Sequence, residues 1–232
     1  MKLLKHLPNL ITCGNVVCGS IGIMFVFRNQ LEYATYMVWA GAFFDFFDGM
    51  VARLVKASSA IGKELDSLAD MITFGALPGF FVYQLIVQKD EFLAYAGILI
   101  IVFSALRLAK FNVDTRQSEN FIGLPTPANC IFITALPSLS SIELFQFVTE
   151  PLSLTVIAVM CSFLLVSEVR LLSLKMKNFS WSANKFRYLL ILFSVATLAA
   201  FSVNALSLVI ILYLILSLIW NLIDKPVVNK LS

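Results

Sequence analysis

Residues 45–70 read DFFDGMVARLVKASSAIGKELDSLAD and place four aspartates within a largely apolar chain. If this stretch forms two helices joined by a short link, Asp45 and Asp48 lie three residues apart on one face of the first helix. Asp66 and Asp70 lie four residues apart on one face of the second helix. The link returns the chain antiparallel, so the four carboxylates can converge. The stretch therefore predicts a helical hairpin with an acidic cleft between its two helices.

Small residues accompany these acids. The first helix is predicted to end near Val55 and the second to begin near Gly62. Gly49 and Ala52 continue the stripe of acids on the first helix, and Gly62 lies one turn before Asp66. The facing surfaces therefore carry small side chains beside carboxylates, which leaves room for a ligand.

Four carboxylates in an apolar chain require a cationic partner. Each charged side chain at the centre of a membrane costs about 2.5 to 3.5 kcal/mol even on lenient insertion scales. Carboxylate oxygens without histidine or cysteine suit Mg²⁺ or Mn²⁺, and two pairs could hold two ions about 3.5 to 4 Å apart for phosphoryl displacement. The alternative is a set of structural ion pairs with Arg53, Lys56 and Lys63. Ion pairs alone do not explain why four acids and three small residues occur at fixed helical spacing.

The complete pattern resembles the signature of the CDP-alcohol phosphatidyltransferases. It reads Asp45-x-x-Asp48-Gly49-x-x-Ala52-Arg53, eight residues, Gly62-x-x-x-Asp66-x-x-x-Asp70. The resemblance implies that Asp45, Asp48, Asp66 and Asp70 hold two divalent cations, Mg²⁺ or Mn²⁺. It also implies that Asp70 is the catalytic base.

Further positions are similar to the nucleotide-binding region of that family. Asn9 and Thr12, preceded by Pro8, resemble the Pro-Asn-x-x-Thr pattern of its first helix, although polar residues at headgroup level would also explain them. The Arg53 guanidinium could make a bidentate contact with a diphosphate. Glycine at position 49 would let the backbone approach the ligand closely. The CDP-lipid contacts implied by the resemblance are Asn9, Thr12, Gly49, Ala52, Arg53, Ser59 and Gly62.

The segment that contains residues 107–129 gives information on the acceptor, the molecule that would receive the phosphatidyl group. Its phrases RLAKFN, residues 107–112, and GLPTPA, residues 123–128, are similar to the bacterial phosphatidylserine synthase branch of the family. Lys110 stands where that branch often has arginine, and Asn129 where it often has a small residue. The resemblance implies that CDP-diacylglycerol is the donor and L-serine the acceptor. The implied acceptor-binding residues are Arg107, Lys110 and Asn112, and a basic membrane-boundary loop is the alternative interpretation.

The composition predicts an integral membrane protein. Of the 232 residues 59% are hydrophobic and 13% charged, and the mean hydropathy of +0.89 excludes an ordinary soluble domain. We expect an all-α, polytopic membrane helical bundle forming a single domain over residues 1–232. Its catalytic core is predicted at about 8–129 and its C-terminal helices at about 130–224. Eight transmembrane helices are predicted, at about 9–27, 33–55, 62–87, 92–111, 127–147, 152–172, 186–203 and 205–223.

Basic residues predict the orientation of these helices. All but two of the 17 lysines and arginines fall at one predicted membrane face, the exceptions being Arg28 and Lys89. The positive-inside rule makes that face cytoplasmic, and the acidic cluster lies on the same side. We therefore expect a protein of the bacterial cytoplasmic membrane, with both termini and the active site in the cytoplasm.

Other kinds of site find little support. His6 is the single histidine, and Cys13, Cys18, Cys130 and Cys161 lack metal-ligand spacing, so the cysteines are predicted to be free thiols. Basic residues explained by topology leave no nucleic-acid partner to infer. The family resemblance suggests a homodimer.

Two functional alternatives stay open. The same reaction could use glycerol 3-phosphate as the acceptor, which would require a denser cluster of cations than serine does. A divalent-cation transporter could instead use the acids as its translocation site, and it would place them near the bilayer midplane.

Overall fold

Nearly all of the described chain is helical. The computed structural model describes residues 6–55, 59–114, 121–172, 180–201 and 206–223. In chain order its elements are α1 (Leu7–Phe27), α2 (Leu31–Leu54), α3 (Ala60–Asp70), a π-helical segment (Met71–Ala76), α4 (Leu77–Val87), α5 (Glu91–Ala94), α6 (Ala96–Val113), β1 (Phe121–Ile122), α7 (Thr126–Thr134), α8 (Leu136–Leu139), a 3₁₀ segment (Glu143–Thr149), α9 (Pro151–Val166), β2 (Arg170–Leu171), α10 (Trp181–Phe201) and α11 (Leu206–Ile223). The predicted helical bundle is confirmed, with one short strand pair added.

Several of these helices can cross a membrane. Within the described ranges, five stretches are long and apolar enough: Leu7–Phe27, Ala60–Val87, Glu91–Val113, Asn184–Phe201 and Leu206–Ile223. A sixth is added if the 3₁₀ segment and α9, which meet at 74°, count as one broken span. The 24 residues of α2 have the length but carry the charges of Glu32, Asp45, Asp48 and Arg53. The structure therefore supports a polytopic membrane protein with five or six spans, and the number eight stays a prediction.

The run predicted at 127–147 is not one continuous helix. It divides into α7, α8 and the 3₁₀ segment. Pro137 lacks a backbone N–H and interrupts the helical hydrogen-bond ladder. The hydroxyls of Ser140 and Ser141 donate to the carbonyl oxygens of Pro137 and Ser138, at 2.8 and 2.7 Å. These local side-chain bonds accompany the end of α8, so the predicted span is divided into short helical segments.

The π-helical segment lies against α1 at one close contact. A Cβ atom on Gly19 would approach the Thr73 hydroxyl oxygen to 2.2 Å, so only glycine permits this distance. The Thr73 hydroxyl donates to the backbone oxygen of Asn15 at 3.0 Å. A π-helix carries about one extra residue per turn and is common at functional sites. The contact with α1 holds this segment in place directly after Asp70.

A short antiparallel pairing of β1 with β2 joins the segment before α7 to the segment after α9. Between them Gly123 has a φ of +73°, and a Cβ atom there would lie 2.7 Å from the Leu165 oxygen. The Leu124 N–H donates to the Leu164 oxygen at 2.9 Å. This turn holds the Leu124 carbonyl in place near the end of α6.

Some predictions concern residues outside the described ranges. They include the centre of the predicted basic loop, residues 173–179, and the two chain ends. The basic residues outside are Lys2, Lys5, Lys56, Arg116, Lys175, Lys177, Lys225 and Lys230. The membrane orientation therefore stays a prediction. The four cysteines are all described, and each is a free thiol as predicted.

Candidate functional site

The acidic cleft forms between α2 and α3 as the sequence predicts. One carboxylate oxygen from each of Asp45, Asp48 and Asp66 lies within 4.8 Å of the others. Asp45 also lies close enough to Asp70 and Asp66 for their carboxyl groups to interact. Asp70 therefore joins the cluster through Asp45 and lies at its edge. The structure brings all four predicted acids together, with three of them in a tighter group.

Local sequence explains why α3 begins where these acids need it. Ser59 has an extended backbone, and its hydroxyl accepts a hydrogen bond from the Gly62 N–H at 3.0 Å. This is an N-cap, an interaction that stabilises a helix by about 1 kcal/mol. The cap sets the start of α3 and hence the positions of Asp66 and Asp70 along it.

A cavity of about 240 Å³ opens beside the acids. It is lined by Pro8, Asn9, Thr12, Asp48, Gly49, Ala52, Ser59, Gly62, Lys63 and Asp66. All residues predicted to contact the CDP-lipid are in this set except Arg53. Residues from α1, α2 and α3 thus meet around one space next to the acids.

The two glycines of the pattern serve different purposes. A Cβ atom on Gly49 would meet no atom within 4 Å, so packing does not require glycine there. A Cβ atom on Gly62 would lie 3.0 Å from Asn9 Oδ1 and 3.1 Å from Ser59 Oγ. Gly49 therefore contributes open space, and Gly62 permits α3 to approach α1.

Arg53 lies at the rim of this cavity. Its side chain is exposed, and its Nε donates to the Gly49 carbonyl oxygen at 3.0 Å. The guanidinium is therefore hydrogen-bonded to the turn of α2 that lines the cavity. It has further N–H donors with which to contact a ligand.

The acid cluster fits a divalent cation. Asp48 is only 6% exposed, and its Oδ2 atom has no hydrogen-bond partner among the described residues. A buried carboxylate oxygen without a partner is costly, and a hard cation would satisfy it. Oxygen ligands without nitrogen or sulfur are those that Mg²⁺ and Mn²⁺ prefer.

Asn15 is a site residue that the sequence analysis missed. It is buried in α1, and its Nδ2 lies 3.5 Å from Asp70 Oδ1, a long hydrogen bond. Asn9, Thr12 and Asn15 recur every three residues and so form one polar stripe along an apolar helix. That spacing is the signal that would have identified Asn15.

Arg107, on α6, is buried close enough to Asp70 to interact with it. Its side chain is buried, and its Nε donates to the Leu124 oxygen at 2.7 Å while Nη1 lies 3.5 Å from Thr126 Oγ1. The guanidinium is close enough to interact electrostatically with Asp70 and Tyr213. One predicted acceptor residue thus lies beside the predicted base.

Two further polar residues near Arg107 are buried without partners. They are Ser104, one turn before Arg107 on α6, and Asn129, one turn after Thr126 on α7. Neither Ser104 Oγ nor either amide atom of Asn129 has a hydrogen-bond partner within the described ranges. On sequence alone, Asn129 is notable only as a departure from the family phrase. Buried polar atoms of this kind are typical of a site that holds a small polar ligand or water.

Lys110 and Asn112 contact other parts of the chain. Lys110 Nζ lies 3.1 Å from Glu168 Oε1 in a surface ion pair. Asn112 Nδ2 donates to Ser67 Oγ at 2.9 Å. The acceptor-binding role predicted for these two residues therefore stays a prediction.

A second cavity differs in chemistry from the first. It measures about 370 Å³ and lies between α7, α10 and α11. It is lined by Pro125, Ala128, Leu190, Ile191, Ser194, Val195, Leu198, Val209, Ile210 and Tyr213. This largely apolar lining contains no carboxylate to bind a metal ion, in contrast to the acidic cavity.

Several known proteins are similar in sequence to this chain. A sequence model of the CDP-alcohol phosphatidyltransferase family matches residues 5–167. The chain is 33% identical over 168 residues to the CDP-diacylglycerol–serine O-phosphatidyltransferase of Bacillus subtilis, which covers 72% of this chain and 90% of the relative. It is 34% identical over 229 residues to the protein of the same name from Helicobacter pylori, covering 96% and 94%. It is 33% identical over 165 residues to the archaetidylserine synthase of Methanothermobacter thermautotrophicus, covering 70% and 68%.

The family match and the site geometry agree. The matched range contains every acid of the cleft and every residue that lines the acidic cavity. CDP-alcohol phosphatidyltransferases depend on divalent metal ions, and the cluster of Asp45, Asp48 and Asp66 could bind one. The chain therefore belongs to the CDP-alcohol phosphatidyltransferase family.

Proposed function

We propose that this protein transfers a phosphatidyl group from CDP-diacylglycerol to the hydroxyl of L-serine, giving phosphatidylserine and CMP. The observation that carries the proposal is that Asp70 interacts both with the acid cluster, through Asp45, and with the buried cation of Arg107. A base in that position is near a donor site and near a group that can bind a carboxylate. Relatives with 33% and 34% identity are named for this reaction, which supports serine as the acceptor.

The donor is proposed to occupy the acidic cavity. Asp45, Asp48, Asp66 and Asp70 would hold two divalent cations, Mg²⁺ or Mn²⁺, which when bound supply positive charge to the diphosphate and polarise its phosphorus. Asn9, Thr12, Ala52, Ser59 and Gly62 would line the nucleotide, since they border the cavity. The Gly49 backbone and the Arg53 guanidinium would approach the diphosphate at the rim.

The acceptor is proposed to lie between Asp70 and Arg107. Arg107 would pair with the serine carboxylate, and Asp70 would take the proton of the serine hydroxyl. The serine oxygen then forms a bond to the lipid-bearing phosphorus as the bond from that phosphorus to the CMP oxygen breaks. Asn15 holds Asp70 in position through its amide.

The proposal includes a place in the cell. The chain would act as one domain in a bacterial cytoplasmic membrane, with the cavity and both termini on the cytoplasmic side and a homodimer as the assembly. Lipid tails would stay between helices while the polar nucleotide occupies the cavity, so the donor need not leave the bilayer.

The function is tested by following CMP release from CDP-diacylglycerol by the purified protein in Mn²⁺ or Mg²⁺. L-serine, glycerol 3-phosphate and inositol 1-phosphate are offered in parallel. We expect release that depends on both the metal ion and serine. Release only with glycerol 3-phosphate would replace the acceptor, and no metal-dependent release with any acceptor would favour cation transport instead.

The Arg107→Ala variant should raise the KM for serine about 10- to 100-fold and the KM for CDP-diacylglycerol much less. A lost hydrogen-bonded contact to a charged group costs about 1.5 to 3 kcal/mol, and a contact made equally in ground and transition states appears in KM. Steady-state kinetics with each substrate varied in turn measures both constants. Arg28→Ala, which removes an exposed arginine at the end of α1, is the matched control. A parallel rise in both KM values would contradict the assignment of Arg107 to the acceptor.

The Gly49→Ala variant should fold at least as stably as the parent protein while its KM for CDP-diacylglycerol rises about tenfold or more. The added methyl meets no protein atom and improves helix propensity by about 1 kcal/mol, but it occupies ligand space. Thermal unfolding and donor kinetics are measured together. Gly19→Ala is the matched control, because its methyl would overlap Thr73 and should lower stability. An unchanged donor KM in Gly49→Ala would move the diphosphate away from this turn of α2.

A further inference from the structure

Lys63 is the only cation among the described residues that line the acidic cavity. It shares this wall with Asp66, which lies three residues further along α3 and so on the same helix face. On sequence alone, Lys63 is a candidate only for structural ion pairs. The salt bridges found among the described residues are Lys89 with Glu150 and Lys110 with Glu168, so Lys63 is not used in that way.

A closed set of hydrogen bonds holds the Lys63 side chain. Its Nζ donates to the backbone oxygen of Asn112 at 3.0 Å. The Asn112 side chain donates to Ser67 Oγ at 2.9 Å, and Ser67 Oγ in turn donates to the Lys63 backbone oxygen at 3.3 Å. The three residues thus connect α3 to the last turn of α6. A long and flexible lysine is thereby restricted to one region beside the cavity.

This arrangement leaves Lys63 able to bind an anion. An ammonium group has three N–H donors, and the contact with Asn112 uses one of them. Lys63 is exposed, so a ligand in the cavity can reach its ammonium group. The carboxylates of Asp48 and Asp66 line the same cavity, and metal ions held there would bring a phosphate within the region that Lys63 borders.

We propose that Lys63 binds the diphosphate of the CDP-activated lipid, and that Ser67 and Asn112 are positioning residues that hold its ammonium at the cavity. The inference rests on the proposed function, because that function supplies the diphosphate ligand. It also gives Asn112 a role that its observed contact with Ser67 supports. An ammonium group on a side chain held in place suits a phosphate, because lysine binds phosphate as a point charge and needs no bidentate geometry.

The inference is tested by the affinity of the purified full-length protein for CDP in Mn²⁺, measured calorimetrically. Lys63→Met should weaken CDP binding about tenfold or more, since it removes a charged contact to phosphate. Lys63→Arg, which keeps the charge, should retain most of the affinity. Lys89→Met, which removes an equivalent lysine from the exposed pair with Glu150, should leave it unchanged. In kinetics, Lys63→Met should raise the KM for CDP-diacylglycerol and not the KM for serine.

A double-variant comparison tests positioning. Ser67→Ala removes the oxygen that Asn112 contacts, so it should weaken CDP binding severalfold. If Ser67 acts through Lys63, adding Ser67→Ala to Lys63→Met should cause no further loss. Equal losses of affinity from Ser67→Ala with and without Lys63 would show that Ser67 acts independently and would overturn the positioning role.

The outcomes separate this inference from the proposed function. A parent protein that binds CDP, together with Lys63→Met that binds it equally well, would overturn the role of Lys63 and leave the proposed function intact. A parent protein that does not bind CDP in Mn²⁺ would overturn both. CDP binding that depends on Lys63 in a protein that releases no CMP with serine would support the phosphate site and overturn the acceptor.

Discussion

Asp70→Asn is expected to lower kcat by about 10²- to 10⁴-fold while CDP binds within a few fold of the parent affinity. The loss has the size that removal of a general base produces. Asparagine keeps the shape of aspartate and cannot take a proton from the serine hydroxyl. The tight group of Asp45, Asp48 and Asp66 is untouched by the substitution, so nucleotide binding through metal ions should persist.

The surroundings of Asp70 give this prediction its physical basis. Asp70 interacts with Asp45, and the Asn15 amide donates to Asp70 Oδ1. It also interacts with the guanidinium of Arg107. In the proposed mechanism a carboxylate near this buried cation takes the acceptor proton, whereas Asp48 lines the acidic cavity itself.

The measurement pairs single-turnover CMP release with CDP affinity in Mn²⁺. Glu64→Gln is the matched control, because it removes an acid from an exposed position on the same helix and should change neither quantity. A rate near that of the parent protein would reject Asp70 as the base. A fall in CDP affinity that parallels the fall in rate would instead assign Asp70 chiefly to metal binding, as one of the four acids predicted to hold the ions.

Much of the donor side could be predicted from the sequence because its signals are local. Four acids and three small residues at helical spacing determine which faces of α2 and α3 border the acidic cleft. Gly49 and Gly62 lie where that spacing predicts, one beside open space and one at a close contact between helices. The predicted bounds of these helices, near Val55 and Gly62, differ from the observed ones by one or two residues. Helix ends depend on caps such as Ser59, which periodicity does not reveal.

The acceptor side was predicted less completely because its contacts are distant in sequence. The hydrogen bond between Asn15 and Asp70 spans 55 positions, and that between Asn112 and Ser67 spans 45. Helical spacing puts Arg107 and Lys110 on one face of α6, but only the tertiary fold shows that Arg107 is buried near Asp70 while Lys110 reaches Glu168. Local patterns specify faces, and they do not specify which distant helix each face meets.

Asp48→Asn is expected to act in opposite directions on stability and activity. Asp48 is almost fully buried among other acids, and its Oδ2 has no partner in the described part of the chain. In the metal-free protein, asparagine removes a buried charge and its repulsion from Asp45 and Asp66. We therefore expect the variant to unfold about 2–4 °C higher in EDTA, the shift that about 1 kcal/mol produces in a chain of this size.

The same substitution should reduce CMP release at least about 100-fold, because a neutral amide is a poor ligand for Mg²⁺ or Mn²⁺. Mn²⁺ should raise the unfolding temperature of the parent protein, since a ligand that binds only the folded state stabilises it, and should raise that of the variant much less. Asp90→Asn is the matched control: Asp90 caps α5 through the Leu93 N–H, a role that asparagine fills equally well, so neither stability nor its Mn²⁺ dependence should change.

Thermal unfolding of both variants and of the parent protein, in EDTA and in Mn²⁺, measures these differences directly. A variant less stable than the parent in EDTA would mean that the Asp48 carboxylate supports the fold through its charge. An Mn²⁺ effect of equal size in parent and variant would mean that Asp48 is not a ligand. The expected result, higher stability with lost activity and lost metal response, requires that the four acids are kept together at a cost in stability that bound cations offset. If Asp48 belonged to a structural ion pair, Asp48→Asn would instead lower the unfolding temperature in EDTA, because removing one partner of a pair leaves the other charge uncompensated.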